Sequence, residues 1–275
     1  MDEQAAGNPV AGRGGRPAQG EPVLDRAFRI LAAFEPGQRS LSLAALSRRA
    51  GLPKPTALRL ARKLVQWGAL ERAASGEYVV GLRLLEIASL APRGHGLRAA
   101  ALPYLEDLHH ATGQHVLLAV RDGHEAVLIE RLSARDAGRV MYRVGGRMPL
   151  HSTGVGLVLL AHAPVAVQDA VLGGDLARQP AEGRAGAGGP AGGAGLRALL
   201  AAVRRDGVAV VSRPAPESVT SVAALVRDAG GAPVAALSVV APSGRVDAAG
   251  ARAAVVAVAR AVSRAVAAGG AEAGG

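Results

Sequence analysis

The sequence predicts an α+β protein in two parts, a winged helix-turn-helix followed, through a helical connector, by a larger module of helices and antiparallel strands. Three observations predict it. The ten residues from Lys54 to Lys63 hold both lysines of the chain together with Arg59 and Arg62 and no acid, directly after the helix stop Ala50-Gly51-Leu52-Pro53. Two short extended pieces then flank Ala73-Ala74-Ser75-Gly76, a hairpin signal. Beyond residue 97, helical stretches bracket several strands, two of which flank Asp122-Gly123, the strongest short hairpin signal in the chain. A basic helix set directly after a tight turn is what a helix-turn-helix DNA reader requires.

Each element follows in order. Residues 1–21 are rich in Gly, Ala, Pro and Gln without apolar period, and read as a disordered arm. Val23, Ala27, Ile30, Leu31 and Phe34 carry the spacing of an amphipathic helix that Pro36-Gly37 ends. Leu43 to Ala50 gives a second helix. The third has Pro55 in its first turn, where the missing N–H costs nothing, and runs to Trp67 before Gly68 caps it. Leu70 to Arg72 and Glu77 to Val80 are the strands of the wing, which completes a domain over 22–81. Residues 82–96 form a linker helix broken at Pro92-Arg93-Gly94-His95-Gly96, and Leu97 to Ala111 is helical again. Strands are predicted at His115 to Arg121, Ala126 to Arg131 and Arg139 to Val144, and a buried helix at Gly154 to Ala163. Residues 173–195 have almost no side chains able to pack and read as a mobile loop. Leu196 to Arg205 is helical, Val208 to Ser212, Val219 to Val226 and Pro233 to Val240 are strands, and a closing helix runs from Asp247 to Ala267. The second domain thus spans 97–268, and 269–275 is a tail.

Composition narrows the function classes. The chain has 275 residues, a formal charge of +10 and no cysteine. Absence of thiols excludes a disulfide scaffold, a thiolate zinc finger and a cysteine nucleophile. No run of about 18 uncharged apolar residues is present to span a bilayer, and the first residues lack the apolar core of a signal peptide, so the expected location is the cytoplasm. Between Glu21 and Leu90 stand eleven basic side chains and, after Glu21, five acidic ones. That excess makes the N-terminal third the expected phosphate-facing part. A genome-wide preference for Arg, Ala and Gly is the competing explanation of the basic total.

The order of these signals resembles the IclR family of bacterial transcriptional regulators, from Val23 to Ala267. The matching residues are Arg26-Ala27-Phe28-Arg29-Ile30-Leu31, Ala50-Gly51-Leu52-Pro53-Lys54-Pro55-Thr56-Ala57-Leu58-Arg59-Leu60, Gly76-Glu77-Tyr78, Gly146-Arg147-Met148-Pro149-Leu150-His151-Ser152-Thr153-Gly154 with Gly156 and Leu159-Leu160-Ala161, and Ala235-Ala236-Leu237-Ser238. The resemblance implies a winged-helix domain, a linker helix used in dimerisation and a GAF-like effector-binding domain, in a homodimer or homotetramer. It also implies a ligand-responsive regulator, repressor or activator, that binds double-stranded operator DNA and senses a small organic acid or related metabolite, with no cofactor and no membrane partner.

On the recognition helix, Thr56 and Arg59 are expected to meet base edges, and Lys54, Arg62 and Lys63 to meet phosphates. Arginine reaches guanine O6 and N7 with two hydrogen bonds and so discriminates, whereas phosphate contacts give affinity without sequence. The family commonly has Ser where this chain has Pro55. For the effector, the resemblance points to main-chain donors at Thr153 and Gly154, where a helix N-terminus favours a carboxylate, and to Ser221 and Ser238 on the late strands. Met148 and Leu150, like Leu128, are candidate apolar wall or simply core. An acidic family position falls at Val211 and a second serine at Val240, so the pocket should be more apolar than those that take very small polar acids. A family Gly-Lys is Gly156-Leu157 here.

No catalytic constellation is found. His109, His110, His115 and His124 with Glu106 lack a three-ligand metal spacing, and a surface or capping role is preferred. Gly154-Val155-Gly156 is too short for a dinucleotide fingerprint, and no Gly-x-Ser-x-Gly elbow occurs. The protein is therefore read as a non-enzyme, metal-free regulator. The competing reading is an architectural DNA-binding protein without effector, which would not need so large a second module.

Overall fold

A computed structural model describes residues 21–35, 37–135, 142–178, 193–213, 218–244 and 247–272. The chain divides into two compact units, residues 1–88 and 89–275.

The first unit contains α1 (Val23–Ala32), β1 (Ser40–Leu41), α2 (Leu43–Ala50), α3 (Lys54–Trp67), β2 (Leu70–Arg72) and β3 (Tyr78–Val80), with α4 (Leu82–Ser89) running to its boundary. Ser42 starts α2 by accepting the Ala45 N–H at 3.2 Å. Gly51 ends it in the left-handed region at φ 60°, where its N–H reaches the Arg48 carbonyl and the Leu52 N–H reaches that of Ser47. The Ser47 hydroxyl then donates to the Leu52 carbonyl at 2.6 Å, so the turn before α3 is tied from both sides. Ile30, Leu41, Leu46, Leu60, Leu70 and Tyr78 are buried and form the core between the three helices and the wing. The wing sheet has the antiparallel order β1-β3-β2. Gly81 passes so close to the Gly68 carbonyl that a Cβ there would overlap it.

The second unit opens with a π-helical turn at Pro92–Gly96 and α5 (Leu97–Thr112). There follow β4 (His115–Asp122), β5 (Glu125–Leu132), β6 (Arg147–Pro149), α6 (Gly154–Ala161), α7 (Val165–Arg178), α8 (Gly193–Asp206), β7 (Val208–Arg213), β8 (Val219–Arg227), β9 (Pro233–Pro242) and α9 (Ala248–Glu272). All six strands join one antiparallel sheet of order β6-β5-β4-β9-β8-β7. Its two faces carry separate cores. Leu117, Ala119, Ala209, Ala223 and Ala236 pack with α6, α7 and α8, while Val116, Leu118, Val222, Leu237 and Val239 pack with α5 and α9. Burial on both sides explains why β4 and β9 read as continuous apolar runs.

The winged helix-turn-helix and the α+β second module match the sequence expectation, and four details differ. Glu21, assigned to the arm, is held by Arg29 at 2.6 Å. Residues 142–146 are not strand. The third strand is Arg147–Pro149, because Gly145 turns the chain at φ 77° before pairing with Glu125–Val127 begins. The predicted loop is helical at both margins, since α7 reaches Arg178 and α8 starts at Gly193. Buried Val171 anchors α7 while Gly173 and Gly174 face open space. The tail continues α9 to Glu272. Residues 1–20, 139–141 and 179–192 of the predicted arm, strand and loop lie outside the described residues.

At Gly156 the backbone itself is the obstacle, since a Cβ would stand 2.6 Å from the Pro149 carbonyl oxygen and 2.7 Å from the Leu150 Cα. Gly156→Ala is expected to cost about 1–3 kcal/mol, as overpacking against backbone does. Gly269→Ala, in a helix with nothing near its Cβ, should be neutral or stabilising by up to about 1 kcal/mol. Urea denaturation of the two variants checks the contrast.

Candidate functional site

Helix α3 turns by about 100° per residue, so its faces can be read from burial. Ala57, Leu60 and Ala61 are buried against α1 and α2. Directly opposite lie exposed Pro55, Arg59, Arg62 and Gln66. Thr56, half-buried, and Lys63 flank one edge of that face, and Lys54 flanks the other. The structure therefore places Arg59 and Arg62 together at the centre of the solvent face, and Thr56 at its margin. The Lys63 ammonium donates to the Gln66 side chain at 3.1 Å.

Four other arginines of this unit make structural contacts. Arg29 pairs with Glu21 and donates to the Gly51 carbonyl at 3.1 Å. Arg49 bridges the Ala33 carbonyl, Gln38 and Glu35. Arg72 grips the Gly76 carbonyl inside the wing and lies over the Tyr78 ring, and Arg83 lies over the Trp67 ring. Among the described residues, Lys54, Arg59, Arg62 and Lys63 have no ion pair. Sequence counting treated all eleven basic residues of this region alike. The struts could have been suspected only at Arg72, whose carbonyl partner lies four residues away in the same hairpin.

The second site is built around the start of α6. All eight residues of this helix are buried and none is polar, so its first turn depends on outside groups for its N–H donors. Thr153 supplies one: its hydroxyl oxygen accepts from the Gly156 N–H at 3.1 Å and donates to the Pro149 carbonyl at 2.9 Å. Gly154 lets the helix meet β8 directly, since a Cβ there would overlap the Ser221 hydroxyl. Ser221 pairs with Val211 on one side and Val240 on the other, so it is a half-buried hydroxyl in an apolar row. Ser238 stands diagonal to it on β9, opposite Ala223 and Leu117 and on the same sheet face. It is 1% exposed. Met148 and Leu150 are buried with Leu128 in the core that α6 completes.

Thr153, Gly154 and Ser221 thus converge, with Ser238 beneath them, and Met148 and Leu150 serve as core at its edge. Of the histidines, His109 Nδ1 is 2.7 Å from the Gln114 carbonyl and His115 Nδ1 accepts the Ala134 N–H at 3.1 Å. Among the described residues no group of three His, Cys, Asp or Glu side chains is placed to hold a metal ion.

Comparison with known proteins matches both units of the chain to one family. The family described as "Bacterial transcriptional regulator IclR C-terminal" matches residues 91–268, and "IclR helix-turn-helix domain" matches residues 23–74. The chain is 36% identical over 149 residues to the glycerol operon regulatory protein of Streptomyces coelicolor, covering 54% of this chain and 59% of that protein. It is 32% identical over 152 residues to the HTH-type transcriptional regulator XynR of Escherichia coli, covering 55% and 60%. The chain thus spans about three fifths of the length of these relatives. Among solved structures, an IclR homolog of Microbacterium hydrocarbonoxydans complexed with 4-hydroxybenzoate is 32% identical, with a TM-score of 0.82 over 90% of this chain and 100% of that one.

Thr153 makes both of its bonds from a buried position, and its loss should be felt. Thr153→Val is expected to lower the stability of the protein by about 1–2 kcal/mol, the value of a lost N-cap, and Thr153→Ser to restore most of it. Thermal unfolding of the three proteins measures this.

Proposed function

The chain belongs to the IclR family of bacterial transcriptional regulators, and from that premise we propose that it is a ligand-responsive regulator that binds operator DNA and senses a small organic acid. Arg59 and Arg62 in the middle of the solvent face of α3, without a carboxylate partner among the described residues, are the observation that carries the DNA-binding half. Two guanidiniums one helical turn apart reach successive base pairs of a major groove, and Lys54, Lys63 and Thr56 at the margins meet the backbone on either side. Arg62 moves from the phosphate contacts to the readers on this account, beside Arg59.

The protein acts as a homo-oligomer in the cytoplasm. Exposed Leu82, Leu85 and Leu90, at 67%, 66% and 80%, give the connector around α4 an apolar surface of the kind that a second copy covers. Paired reading heads then meet half-sites of a pseudo-palindrome. We assign residues 22–81 to DNA reading, 82–96 to the connector and 97–268 to sensing.

For the effector, the free donors at the start of α6 favour a carboxylate, and Ser221 offers one further hydroxyl. Val211 and Val240 on either side of Ser221 select for an acid with an apolar body. An aromatic acid such as the 4-hydroxybenzoate of the Microbacterium homolog fits these requirements. Its work is binding and not catalysis. Because a ligand shifts an equilibrium only by its unequal affinity for two states, the acid must bind one arrangement of the reading heads more tightly than the other.

Two outcomes are expected. With an operator selected from random duplexes, Arg59→Ala or Arg62→Ala lowers operator affinity by roughly tenfold or more while binding to unrelated duplex falls far less, and Lys54→Ala lowers both alike. Equal losses for all three would remove the base-reading role. In a thermal-shift panel of aromatic and short-chain carboxylic acids, at least one acid raises the melting temperature and changes operator binding, and Ser221→Val abolishes both effects. A panel without effect on either would favour an architectural DNA-binding protein.

A further inference from the structure

The second unit contains a cleft of about 1000 Å³ at the opposite end of α6 from the effector site. Its volume is at the upper end of the range of small-molecule pockets. It lies where the end of α6, the start of β9, the late turns of α9, the π-helical turn and the β4–β5 hairpin meet. Its walls are apolar: Leu97, Leu159, Pro164, Val234 and Val266.

Three polar side chains converge on it, Arg93, Arg121 and His162. Arg93 donates to the Arg121 carbonyl, and Arg121 donates to the Gly123 carbonyl at 3.0 Å. Among the described residues neither guanidinium has a carboxylate within ion-pair reach. Asp122 and Glu125 of the same hairpin are taken by Arg147, at 2.7 and 3.2 Å. Arg204 and Arg227 lie near enough to act on His162, and they too bond main-chain carbonyls, those of Ala161 and Gly231. Burial holds the His162 imidazole below its ordinary value, and the two arginines push it the same way. Its Nδ1 faces the Val158 carbonyl at 2.9 Å, which can only accept, so Nδ1 carries the proton of the neutral ring. The charge of the cleft is thus that of its arginines.

A largely apolar cavity that holds uncompensated guanidiniums is complementary to one chemical class. We propose that this cleft is a second small-molecule site, which takes a monocarboxylate with an apolar body. The carboxylate meets Arg93 and Arg121, and the body lies along Leu97, Leu159, Val234 and Val266. The polarity of α6 fixes this orientation, because the partial negative charge at its C-terminal end repels a carboxylate placed beside His162. The proposal is independent of the effector reading, since no residue is shared between the two sites.

The absence of cysteine allows a local readout. Gly269 lines the cleft with nothing near its Cβ, so Gly269→Cys in the full chain takes an environment-sensitive fluorophore at one place. Octanoate is expected to change the emission with saturation, and acetate and 1-octanol to need at least tenfold higher concentrations. Arg93→Gln, a change at an exposed side chain, should raise the half-saturating octanoate concentration at least fivefold. Calorimetry on the unlabelled chain should give the same ranking. No response to octanoate, or the same curve for Arg93→Gln, would overturn the proposal. Either result would leave the thermal-shift test of the Ser221 site untouched.

Discussion

The contact of α6 with the sheet is the constraint on which the second unit depends. A helix of eight residues without one polar side chain can exist only where it is covered on all sides, and here the sheet, Pro149-Leu150 and α8 cover it. Such close approach needs glycine at two of its first three positions. The same requirement leaves the first N–H groups of the helix in a place with almost no water, where Thr153 satisfies one of them. The device that holds the fold together is therefore also the one on which the proposed carboxylate site rests. It also accounts for Met148 and Leu150, which serve as core at the edge of the site beside the start of α6.

The parts that were legible in the sequence are those whose signal is local. The α3 helix was bracketed by Gly51-Leu52-Pro53 and Gly68, and both glycines adopt the left-handed conformation that ends helices. The sheet strands were legible from apolar runs with a turn at Asp122-Gly123. Elements that exist through their partners were missed. Two-residue β1 is held by its register with β3, and β6 by its register with β5. Helix α7 was hidden because Gly173-Gly174 signals a break, while buried Val171 and the contact with α8 keep it helical. Of the site residues, Ser221 and Ser238 were found through the family pattern alone, and only strand register shows that they share a face with Gly154.

Charge was the least legible property. Between Glu21 and Leu90, eleven basic residues against five acids after Glu21 give a clear polarity, yet Arg29, Arg49 and Arg72 use their guanidiniums to tie turns and helix ends. An arginine bonded to a carbonyl keeps its charge and still contributes to the long-range field that attracts DNA. It no longer has its donors free for a base edge. Non-specific attraction can therefore be spread over the unit, while the proposed sequence readout falls to side chains that packing leaves uncommitted, with Arg59 and Arg62 at the centre of the exposed face of α3.

The two proposed ligand sites lie at opposite ends of α6, a helix only about 12 Å long. Every one of its residues is buried, and at Gly156 its backbone lies against Pro149 and Leu150 with no room for a Cβ. A close-packed element of this kind moves as a body or not at all. On the two proposed readings, an acid that draws the start of α6 toward itself would shift the walls of the cleft at its other end, and an occupant of the cleft would shift the donors at its start. Linkage makes this reciprocal: whatever factor one ligand imposes on the affinity of the other is returned in full. Two weak acids could then set the state of the sensing unit jointly, with the balance between them written in the position of a single buried helix.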